Sequence, residues 1–377
     1  MKNIAVIGTG SRAHGVVANL LRDSGGEVKI VAVYDPDTAL ARDTLEFWKS
    51  PEAAVCASME EAVRRDDVEW VMVFSPNVFH RAAIECAFAA GKHVFSEKPL
   101  ATTIEDCQAI HDAHKRSGRH FMTGFVLRYG PLYRKAKEIL DSGKLGKILS
   151  INADENIDPG HGGYIVTGWR RHTAISGPHL LEKCCHDLDL LNWFCQSLPS
   201  KVAAFGGLDF FIPANEHIFH EAPKGTFDYW RNPHRAKENA FVVEKDILDT
   251  QVCILRYRNG VKVQFQATMS NAIPERRMYF SCTRGTLVIE LYTSELRYKA
   301  IDDAAETRLV FRADGHGGGD DTIMKELFET MQTDKEPRSS GNEGLESAVC
   351  AIVLDTAMRD ETIVDMEPIW TRLGRGA

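Results

Sequence analysis

The stretch Ile4-Ala5-Val6-Ile7-Gly8-Thr9-Gly10-Ser11-Arg12-Ala13-His14-Gly15-Val16-Val17 decides the fold of the N-terminal half. Its first four residues form an apolar run typical of a buried strand. The two glycines permit a tight turn, and Ala13 allows close packing of the helix that follows. A strand, a glycine turn and a helix in this order predict a dinucleotide-binding loop. Its predicted cofactor contacts are Gly8, Gly10, Ser11 and Arg12.

A carboxylate follows the next predicted strand. Val28–Tyr34 ends at Asp35, which lies 25 residues after Gly10. An acid at this position binds the ribose diol of NAD and would repel the 2′-phosphate of NADP. We therefore expect NAD as the cofactor, with NADP as the less favoured alternative. A loop that only caps a helix is the structural alternative, and Asp35 argues against it.

Alternating patterns continue to residue 125 and predict a parallel, doubly wound Rossmann sheet for residues 1–125. Helical patterns at Thr38–Trp48, Met59–Arg65 and Arg81–Ala90 alternate with strands at Trp70–Phe74 and at Val94-Phe95. The loops after these two strands should meet the glycine loop at one sheet edge, where such folds bind ligands. Further cofactor contacts are predicted there at Ser75, Asn77, His80, Glu97 and Lys98. A surface Lys-Pro turn is the structural alternative for Lys98-Pro99.

Composition narrows the class of protein. The 377 residues have a net charge of −8, which leaves no basic surplus for a nucleic-acid partner. Nine cysteines without a Cys-x-x-Cys pair indicate reduced thiols. No apolar stretch reaches membrane-spanning length, and only Met1, Lys2 and Asn3 precede the first apolar run, too few for a signal peptide. We expect a cytoplasmic protein that acts on a small molecule.

Residues 126–377 have a different pattern, which predicts an α+β domain with an open, mostly antiparallel sheet. Val261–Met269 alternates apolar and polar residues, and Arg258–Gly260 joins it to Asp249–Tyr257 as a hairpin. Two C-terminal helices are predicted at Asp321–Gln332 and Glu346–Arg359. Packing of these helices on the first domain is one arrangement that the prediction allows. Gly315–Asp320 is interpreted as a mobile connector. Pro213–Val243, aromatic and aperiodic, is left open between a lid, an interface and a neutral insertion. Further strands are predicted at Met278–Cys282, Thr286–Leu291, Glu295–Ile301 and Thr307–Phe311.

A polar helix face is predicted after Gly177-Pro178. His179, Glu182, His186 and Asp189 follow at spacings of three, four and three residues, which places them on one face of a helix. Such a face can be solvated, can bind zinc through the first three residues, or can line an active site. Surrounding leucines and cysteines favour a buried helix whose ionisable groups have partners or a role. We expect no metal, because a dinucleotide supplies sufficient redox chemistry.

These motifs together resemble the Gfo/Idh/MocA family, which includes glucose–fructose oxidoreductase and myo-inositol dehydrogenase. The resemblance implies that Lys98 lies near the nicotinamide and the reacting hydroxyl carbon. It also implies that the protein forms a homodimer or homotetramer through the open face of this sheet. Glu182 stands where the family commonly has Asp, and Ser176-Gly177-Pro178 replaces a glycine run. The resemblance rests on Gly8-x-Gly10, Asp35, Ser75-Pro76-Asn77-x-x-His80, Ala90–Val94, Glu97-Lys98-Pro99, Arg128-x-x-Pro131, Gly143–Ile148, Trp169-Arg170 and the Glu182–His186 pair.

The predicted function is NAD-dependent hydride transfer between a nicotinamide and a secondary hydroxyl of a sugar, sugar acid or cyclitol. Oxidation of an alcohol needs a base and a cation beside the developing alkoxide. His186 suits the base and Lys98 the cation, although Lys98 could itself be the base. Two alternatives remain: a lyase or glycosidase that oxidises its substrate only transiently, and a non-catalytic sensor. The predicted catalytic residues are Lys98, His186 and Glu182; the predicted substrate contacts are Arg128, Trp169, Arg170 and His179, with His161 and His172 as further polar groups.

Overall fold

The computed structural model describes residues 1–227, 238–311, 315–333 and 335–376. The chain forms two compact units. The first unit is Met1–Gly130 with Gly318–Ala348, and the second is Pro131–Gly317 with Val349–Ala377. A segment from the C-terminal part of the chain therefore belongs to the first unit, in addition to the expected N-terminal residues.

The first unit contains a six-stranded parallel sheet of order β3-β2-β1-β4-β5-β6, which confirms the predicted doubly wound topology. The order reverses between β1 and β4, the point where such sheets bind ligands. The strands are β1 (Lys2–Ile7), β2 (Val28–Tyr34), β3 (Ala54–Val55), β4 (Trp70–Val73), β5 (His93–Ser96) and β6 (Phe121–Thr123). The helices are α1 (Ser11–Asp23), α2 (Thr38–Phe47), α3 (Met59–Val63), α4 (His80–Ala89) and α5 (Ile104–Ser117).

Burial on both faces explains the continuous apolar runs of these strands. All four residues of β4 are buried, as expected for a sheet covered on both sides.

A side-chain cap marks the start of α2, because the Asp37 side chain accepts hydrogen bonds from two backbone N–H groups there. The residues Ile323, Met324, Leu327 and Met331 join the same core, and this packing places their segment in the first unit.

The second unit contains a nine-stranded sheet of order β14-β13-β12-β11-β7-β10-β9-β8-β15. Within this sheet, as far as its residues are described, only the pairing of β10 with β7 is parallel, so the predicted mostly antiparallel sheet is confirmed. The strands are β7 (Ile148–Asn156), β8 (Pro199–Gly207), β9 (Thr250–Tyr257), β10 (Lys262–Thr268), β11 (Arg277–Cys282), β12 (Gly285–Glu290), β13 (Glu295–Ala300), β14 (Thr307–Val310) and β15 (Val364–Asp365).

Helices complete the second unit and link it to the first. Helices α6 to α11 and α14 lie within the second unit, whereas α12 and α13 each span the division between the units. No helix among the described residues is long and apolar enough to cross a membrane. The helices are α6 (Pro131–Asp141), α7 (Pro159–Thr167), α8 (Thr173–Ser176), α9 (His179–Glu182), α10 (Cys185–Cys195), α11 (Glu216–Glu221), α12 (Gly315–Thr333), α13 (Gly341–Arg359) and α14 (Glu367–Arg372).

Two sequence predictions were wrong at the level of elements. The expected single helix after Gly177-Pro178 is interrupted at Lys183 and Cys184, which separate α9 from α10. The expected mobile connector at Gly315–Asp320 is instead the first part of α12. Backbone φ values of +63° and +78° at Gly317 and Gly318 explain the glycines there, because other residues rarely adopt this conformation.

The aromatic segment Pro213–Val243 contributes to a hydrophobic core in the second unit. Phe211, Phe227 and Phe241 are buried together with residues of α7. The described part of the segment therefore packs into this core through Phe227 and Phe241, and its role stays open. Tyr229, Trp230 and His234 lie outside the described residues.

Candidate active site

The glycine loop follows β1 at the sheet edge of the first unit. Gly8 has a φ of +87°, and a Cβ there would lie 2.7 Å from the backbone N of Ser75, so only glycine fits. A Cβ at Gly10 would meet nothing within 4 Å, which leaves open space beside the loop. Gly10 is the N-cap residue of α1, and no side chain caps that helix. The uncapped N–H groups at Ser11 and beyond suit a phosphate group.

Asp35 is fixed beside this loop. Its Oδ2 accepts hydrogen bonds from the backbone N and the hydroxyl of Thr9, at 2.8 and 3.1 Å. Its Oδ1 accepts from the backbone N of Asp37 at 3.0 Å. The open loop, the uncapped helix and this oriented carboxylate fit a dinucleotide with a free ribose diol.

Arg12 has two carboxylate partners within the first unit. Its Nε donates to Oε1 of Glu97 at 2.7 Å, and its Nη1 lies 2.8 Å from Oδ1 of Asp320. Burial opposes the charge, but the two carboxylates together raise the pKa of Arg12 above its ordinary value. Arg12, Glu97 and Asp320 therefore form an ion triad at the start of α1, and the cofactor contact of Arg12 stays a prediction. Asp320 was not found from the sequence, because it lies more than 300 positions away.

Lys98 directly follows this anchored glutamate. The second carboxylate oxygen of Glu97 accepts from the backbone N of Lys98 at 3.2 Å, and the Lys98-Pro99 peptide bond is cis. Glu97 is buried, whereas Lys98 is partly exposed. The lysine thus follows a glutamate at the strand end that is paired with Arg12 in the first turn of α1.

Two other residues that were predicted to contact the cofactor, His80 and Asn77, lie near the same loops. The buried His80 places its Nδ1 2.8 Å from the carbonyl oxygen of Pro99 and its Nε2 2.9 Å from that of Ser75. Its ring therefore links the two loops, and its predicted contact with the cofactor stays a prediction. Asn77 is also buried, and Arg128 lies in a short turn of the first unit, Val126–Tyr129.

In the second unit, Arg170 and Glu182 form a short ion pair. Arg170 Nε donates to Oε1 of Glu182 at 2.6 Å. The guanidinium lies over the rings of Trp169 and Tyr164, with centroid distances of 4.3 and 4.8 Å. The structure therefore brings three of the predicted residues together. Tyr164 was missed because its helix, α7, is rich in glycine and has no apolar periodicity.

The two histidines of the predicted polar face have different surroundings. His186 is buried at the start of α10, and its ring centroid lies 5.8 Å from that of His316. His179 is also buried, but its Nδ1 lies 2.8 Å from Oε1 of Gln251. His179 is thus a buried histidine with an amide partner, and its contact with a substrate stays a prediction. No group of three or more potential metal ligands occurs among the described residues.

A buried ionic set surrounds the break between α9 and α10. Arg276 donates to both carboxylate oxygens of Asp187 at 2.9 and 2.6 Å. Its Nη1 lies 3.0 Å from Oε1 of Glu155, which is also 3.4 Å from Nζ of Lys183. The sequence showed no sign of this set because its members come from β7, the α9–α10 segment and the loop before β11.

The remaining two predicted histidines, His161 and His172, lie before and after Arg170 in the sequence. Burial, and next the charge of Lys183, lower the pKa of His161 well below its ordinary value. The Nε of Arg171 donates to Nε2 of His172 at 3.1 Å. Both imidazoles therefore have local partners or surroundings that do not depend on a substrate.

Comparisons with known proteins agree with this architecture. Residues 2–125 match the model of the GFO/IDH/MocA oxidoreductase family, NAD-binding Rossmann fold, and residues 133–288 match the GFO/IDH/MocA C-terminal domain. YteT of Bacillus subtilis, classed by its name among the oxidoreductases, is 25% identical over 87% of this chain and 89% of its own. Inositol 2-dehydrogenase of Gluconacetobacter diazotrophicus is 35% identical, but the match covers only 50% of this chain and 53% of that protein.

Solved structures share the fold over nearly the whole chain. Levoglucosan dehydrogenase, solved with NADH and levoglucosan, superposes with a TM-score of 0.80 at 18% identity, covering 97% of this chain and 99% of that one. Myo-inositol 2-dehydrogenase from Lactobacillus plantarum superposes with a TM-score of 0.73 at 20% identity, with the same coverage. The matched models together cover more than half of the chain, and on that ground the protein belongs to the Gfo/Idh/MocA family of NAD-binding oxidoreductases.

Proposed function

We propose that the protein is an NAD-dependent dehydrogenase that oxidises a secondary hydroxyl of a sugar, sugar acid or cyclitol. The observation that supports this most is the position of Lys98. Its backbone N donates to Glu97, and Glu97 accepts from Arg12 in the first turn of the helix that follows the glycine loop. A lysine anchored in this way has a defined position relative to the loop that would bind the dinucleotide.

The preference for NAD rests on Asp35. Its two oxygens are oriented by Thr9 and by the backbone of Asp37, so the carboxylate cannot turn away without losing these hydrogen bonds. A fixed negative charge favours a ribose diol and repels a 2′-phosphate. A bound nicotinamide would supply the hydride acceptor of the reaction.

The side chains of this chain supply the proton transfer and the orientation. The Lys98 ammonium is partly exposed and can donate to the substrate oxygen as negative charge develops there. The buried imidazole of His186 is suited to accept the hydroxyl proton, because imidazoles exchange protons near neutral pH. Glu182 is already paired with Arg170, so it would orient the substrate through its remaining acceptor positions rather than remove a proton.

The experiment is a turnover assay on purified protein with NAD and pooled sugars, sugar acids and inositols, followed by absorbance of reduced nicotinamide. We expect turnover, and Lys98→Ala should lower kcat by about 10²–10⁴-fold with little change in NAD affinity. Lys115→Ala on the exposed side of α5 is the matched control and should retain wild-type kcat. Near-normal turnover of Lys98→Ala would refute the assigned role.

Product analysis by mass spectrometry separates the alternatives. Reaction products without accumulated reduced nicotinamide would indicate a lyase or glycosidase with transient oxidation. Ligand binding with neither product nor reduced nicotinamide would indicate a sensor. Either result would overturn the dehydrogenase proposal while leaving the family assignment unchanged.

We also propose that the protein forms a homodimer or homotetramer through the open face of its nine-stranded sheet. On β8 and β9 the side chains of Phe205, Val252 and Ile254 are 69%, 40% and 60% exposed. Phe205 pairs in register with Val252, so these apolar side chains are neighbours on one face. A contiguous apolar patch of this kind is typical of a protein interface.

A further inference from the structure

Thr9 lies between the two glycines of the loop, and hydrogen bonds hold the peptide groups on both of its sides. On its N-terminal side, its backbone N donates to Oδ2 of Asp35 at 2.8 Å, and its hydroxyl donates to the same oxygen at 3.1 Å. On its C-terminal side, its carbonyl oxygen accepts from the hydroxyl of Thr44 at 3.1 Å. Thr9 and Thr44 are both fully buried, so water does not compete for the hydrogen bond between them.

Helix α1 supplies the next member of this chain of hydrogen bonds. Nε2 of His14 lies 2.7 Å from Oγ1 of Thr44. Burial lowers the pKa of His14, so the ring is neutral at neutral pH and has one N–H. Because the single hydroxyl hydrogen of Thr44 is directed at Thr9, Oγ1 accepts from the ring and the N–H of His14 lies on Nε2. The ring is stacked on Phe47, with a centroid distance of 4.9 Å and an interplanar angle of 16°.

The chain of hydrogen bonds restrains a backbone segment that glycine leaves free to rotate. Gly8 has a φ of +87°, and glycine adopts positive and negative φ with similar ease. The carbonyl that Thr44 holds belongs to the same peptide plane as the N–H of Gly10, the N-cap residue of α1. Without the Thr44 hydroxyl, this buried carbonyl would lack its donor, and rotation of the plane toward another donor would also turn the Gly10 N–H.

The hydrogen bonds from Thr9 also decide which oxygen of Asp35 is available to a ligand. A carboxylate oxygen commonly accepts two hydrogen bonds. Oδ2 already accepts two, both from Thr9, whereas among the described residues Oδ1 accepts one, from the backbone N of Asp37 at 3.0 Å. Oδ1 therefore keeps an acceptor position for a ribose hydroxyl, in an orientation that depends on Thr9.

We propose that Thr44 and His14 are positioning residues of the cofactor site, because they hold the loop residue that orients Asp35. Through Thr9 they keep Oδ1 of Asp35 available to a ribose hydroxyl, and they thereby set the preference for NAD over NADP. This inference rests on the proposed NAD-dependent function and names what determines its cofactor selectivity. A carboxylate that is held in place repels a 2′-phosphate, whereas a carboxylate released by rotation of Thr9 can turn away from it.

Cofactor binding tests this inference without a substrate. Kd is measured for NADH and for NADPH by calorimetry, and the Kd ratio of NADPH to NADH is compared between the wild type and its variants. We expect the wild type to bind NADH at least about tenfold more tightly than NADPH. Thr44→Val keeps the shape of the side chain and removes the hydroxyl, so Kd for NADH should rise and the ratio should fall at least about fivefold. A wild-type ratio in Thr44→Val would overturn the inference.

Two further variants separate the hydroxyl group from packing. Thr44→Ser keeps the hydroxyl and should keep the wild-type ratio. A ratio in Thr44→Ser as low as that of Thr44→Val would assign the effect to the methyl group and contradict the proposal. Thr330→Val is the matched control, because this buried hydroxyl of α12 has no hydrogen-bond partner among the described residues, and both Kd values should stay at those of the wild type.

A variant of His14 guards against a folding defect in Thr44→Val. The ring of His14→Phe can keep the stacking on Phe47 but donates no hydrogen bond to Thr44, so the ratio should fall at least about twofold. An unchanged ratio in His14→Phe would also overturn the inference, whatever the behaviour of Thr44→Val.

The inference and the proposed function fail separately. The expected Kd ratios without reduction of NAD by any compound would refute the dehydrogenase function and leave the inference intact. Reduction of NAD by a wild type whose Thr44→Val variant keeps the ratio would refute the inference and leave the function intact. A wild type that binds neither dinucleotide would refute both.

Discussion

Arg12 and Glu182 show at the scale of single residues that a partner decides the role of a charged group. Both were expected to contact a ligand directly. In the structure Arg12 is occupied by Glu97 and Asp320, and Glu182 is occupied by Arg170. A buried charge must be neutralised, so these side chains act first as supports for the groups beside them.

Removal of the Arg12 charge tests the ion triad. Arg12→Met leaves Glu97 buried without its cation, and we expect a loss of about 3 kcal/mol in the free energy of unfolding. The measurement is urea denaturation of Arg12→Met, Glu97→Gln and the double variant, and the double variant should lose less than the sum of the single losses. Additive losses would contradict the coupling.

The matched control for this prediction is Arg22→Met on the same helix. Arg22 is 57% exposed and pairs with Asp23 and Asp321 at the surface. Exposed pairs contribute little, so the expected loss is below about 1 kcal/mol.

Asp154 gives the protein a predictable pH dependence of stability. Burial, and next the nearby Glu275 carboxylate, raise the pKa of Asp154 to about 7. The folded state therefore holds this proton more tightly than the unfolded state does, and stability should fall as the pH rises from about 4 to about 7. Thermal unfolding of the wild type and Asp154→Asn across this range checks the effect. The variant should show a smaller decrease in Tm, and parallel curves would argue against it.

Helix α7 shows at the scale of elements how packing overrides local propensity. The segment Pro159–Thr167 contains three glycines, which disfavour helix. Asp158 nevertheless caps it, since its side chain accepts from the backbone N of His161. The absence of Cβ atoms lets it approach its neighbours: a Cβ at Gly162 or Gly163 would lie 2.1 Å from a backbone oxygen of Met269 or Phe227.

Substitution of Gly163 tests this close packing. Gly163→Ala should lower the free energy of unfolding by about 1–3 kcal/mol, because the methyl group would force the helix away from Phe227. Gly15→Ala in α1 is the control, since a Cβ there meets nothing within 4 Å, and it should raise stability by about 0.5–1 kcal/mol. The measurement is urea denaturation, and equal effects of the two variants would refute the packing argument.

The break between α9 and α10 has no local signal. Neither glycine nor proline occurs at Lys183 or Cys184, and the apolar spacing continues through both residues. The side chains on either side are paired with residues distant in sequence, Glu182 with Arg170 and Asp187 with Arg276. We attribute the break to these tertiary ion pairs.

At the scale of the whole molecule, the sheets of the two units differ in how many of their faces are buried. The parallel sheet has continuous buried strands, whereas β9 alternates buried and exposed residues. An exposed apolar face on a sheet is a liability unless another surface covers it. This is the physical basis for the proposed homo-oligomer.

Disruption of that face should change the assembly state. We expect Ile254→Lys to shift the mass measured by size-exclusion chromatography with light scattering from a dimer or tetramer toward the monomer, because the charge would be buried without a partner. Ile273→Lys at a separate position with 86% exposure is the control and should keep the wild-type mass. A wild-type protein that is monomeric throughout would refute the proposal.

The sequence by itself determined the Rossmann half, the antiparallel half and the family. Each of these depends on local patterns, namely strand alternation, the glycine loop with Asp35, and the Glu97-Lys98-Pro99 motif. Only the tertiary structure decided the partners of Arg12, the helix break at Lys183 and the Arg276 ionic set. These depend on charges that are distant along the chain and meet only after burial, when each must find an opposite charge.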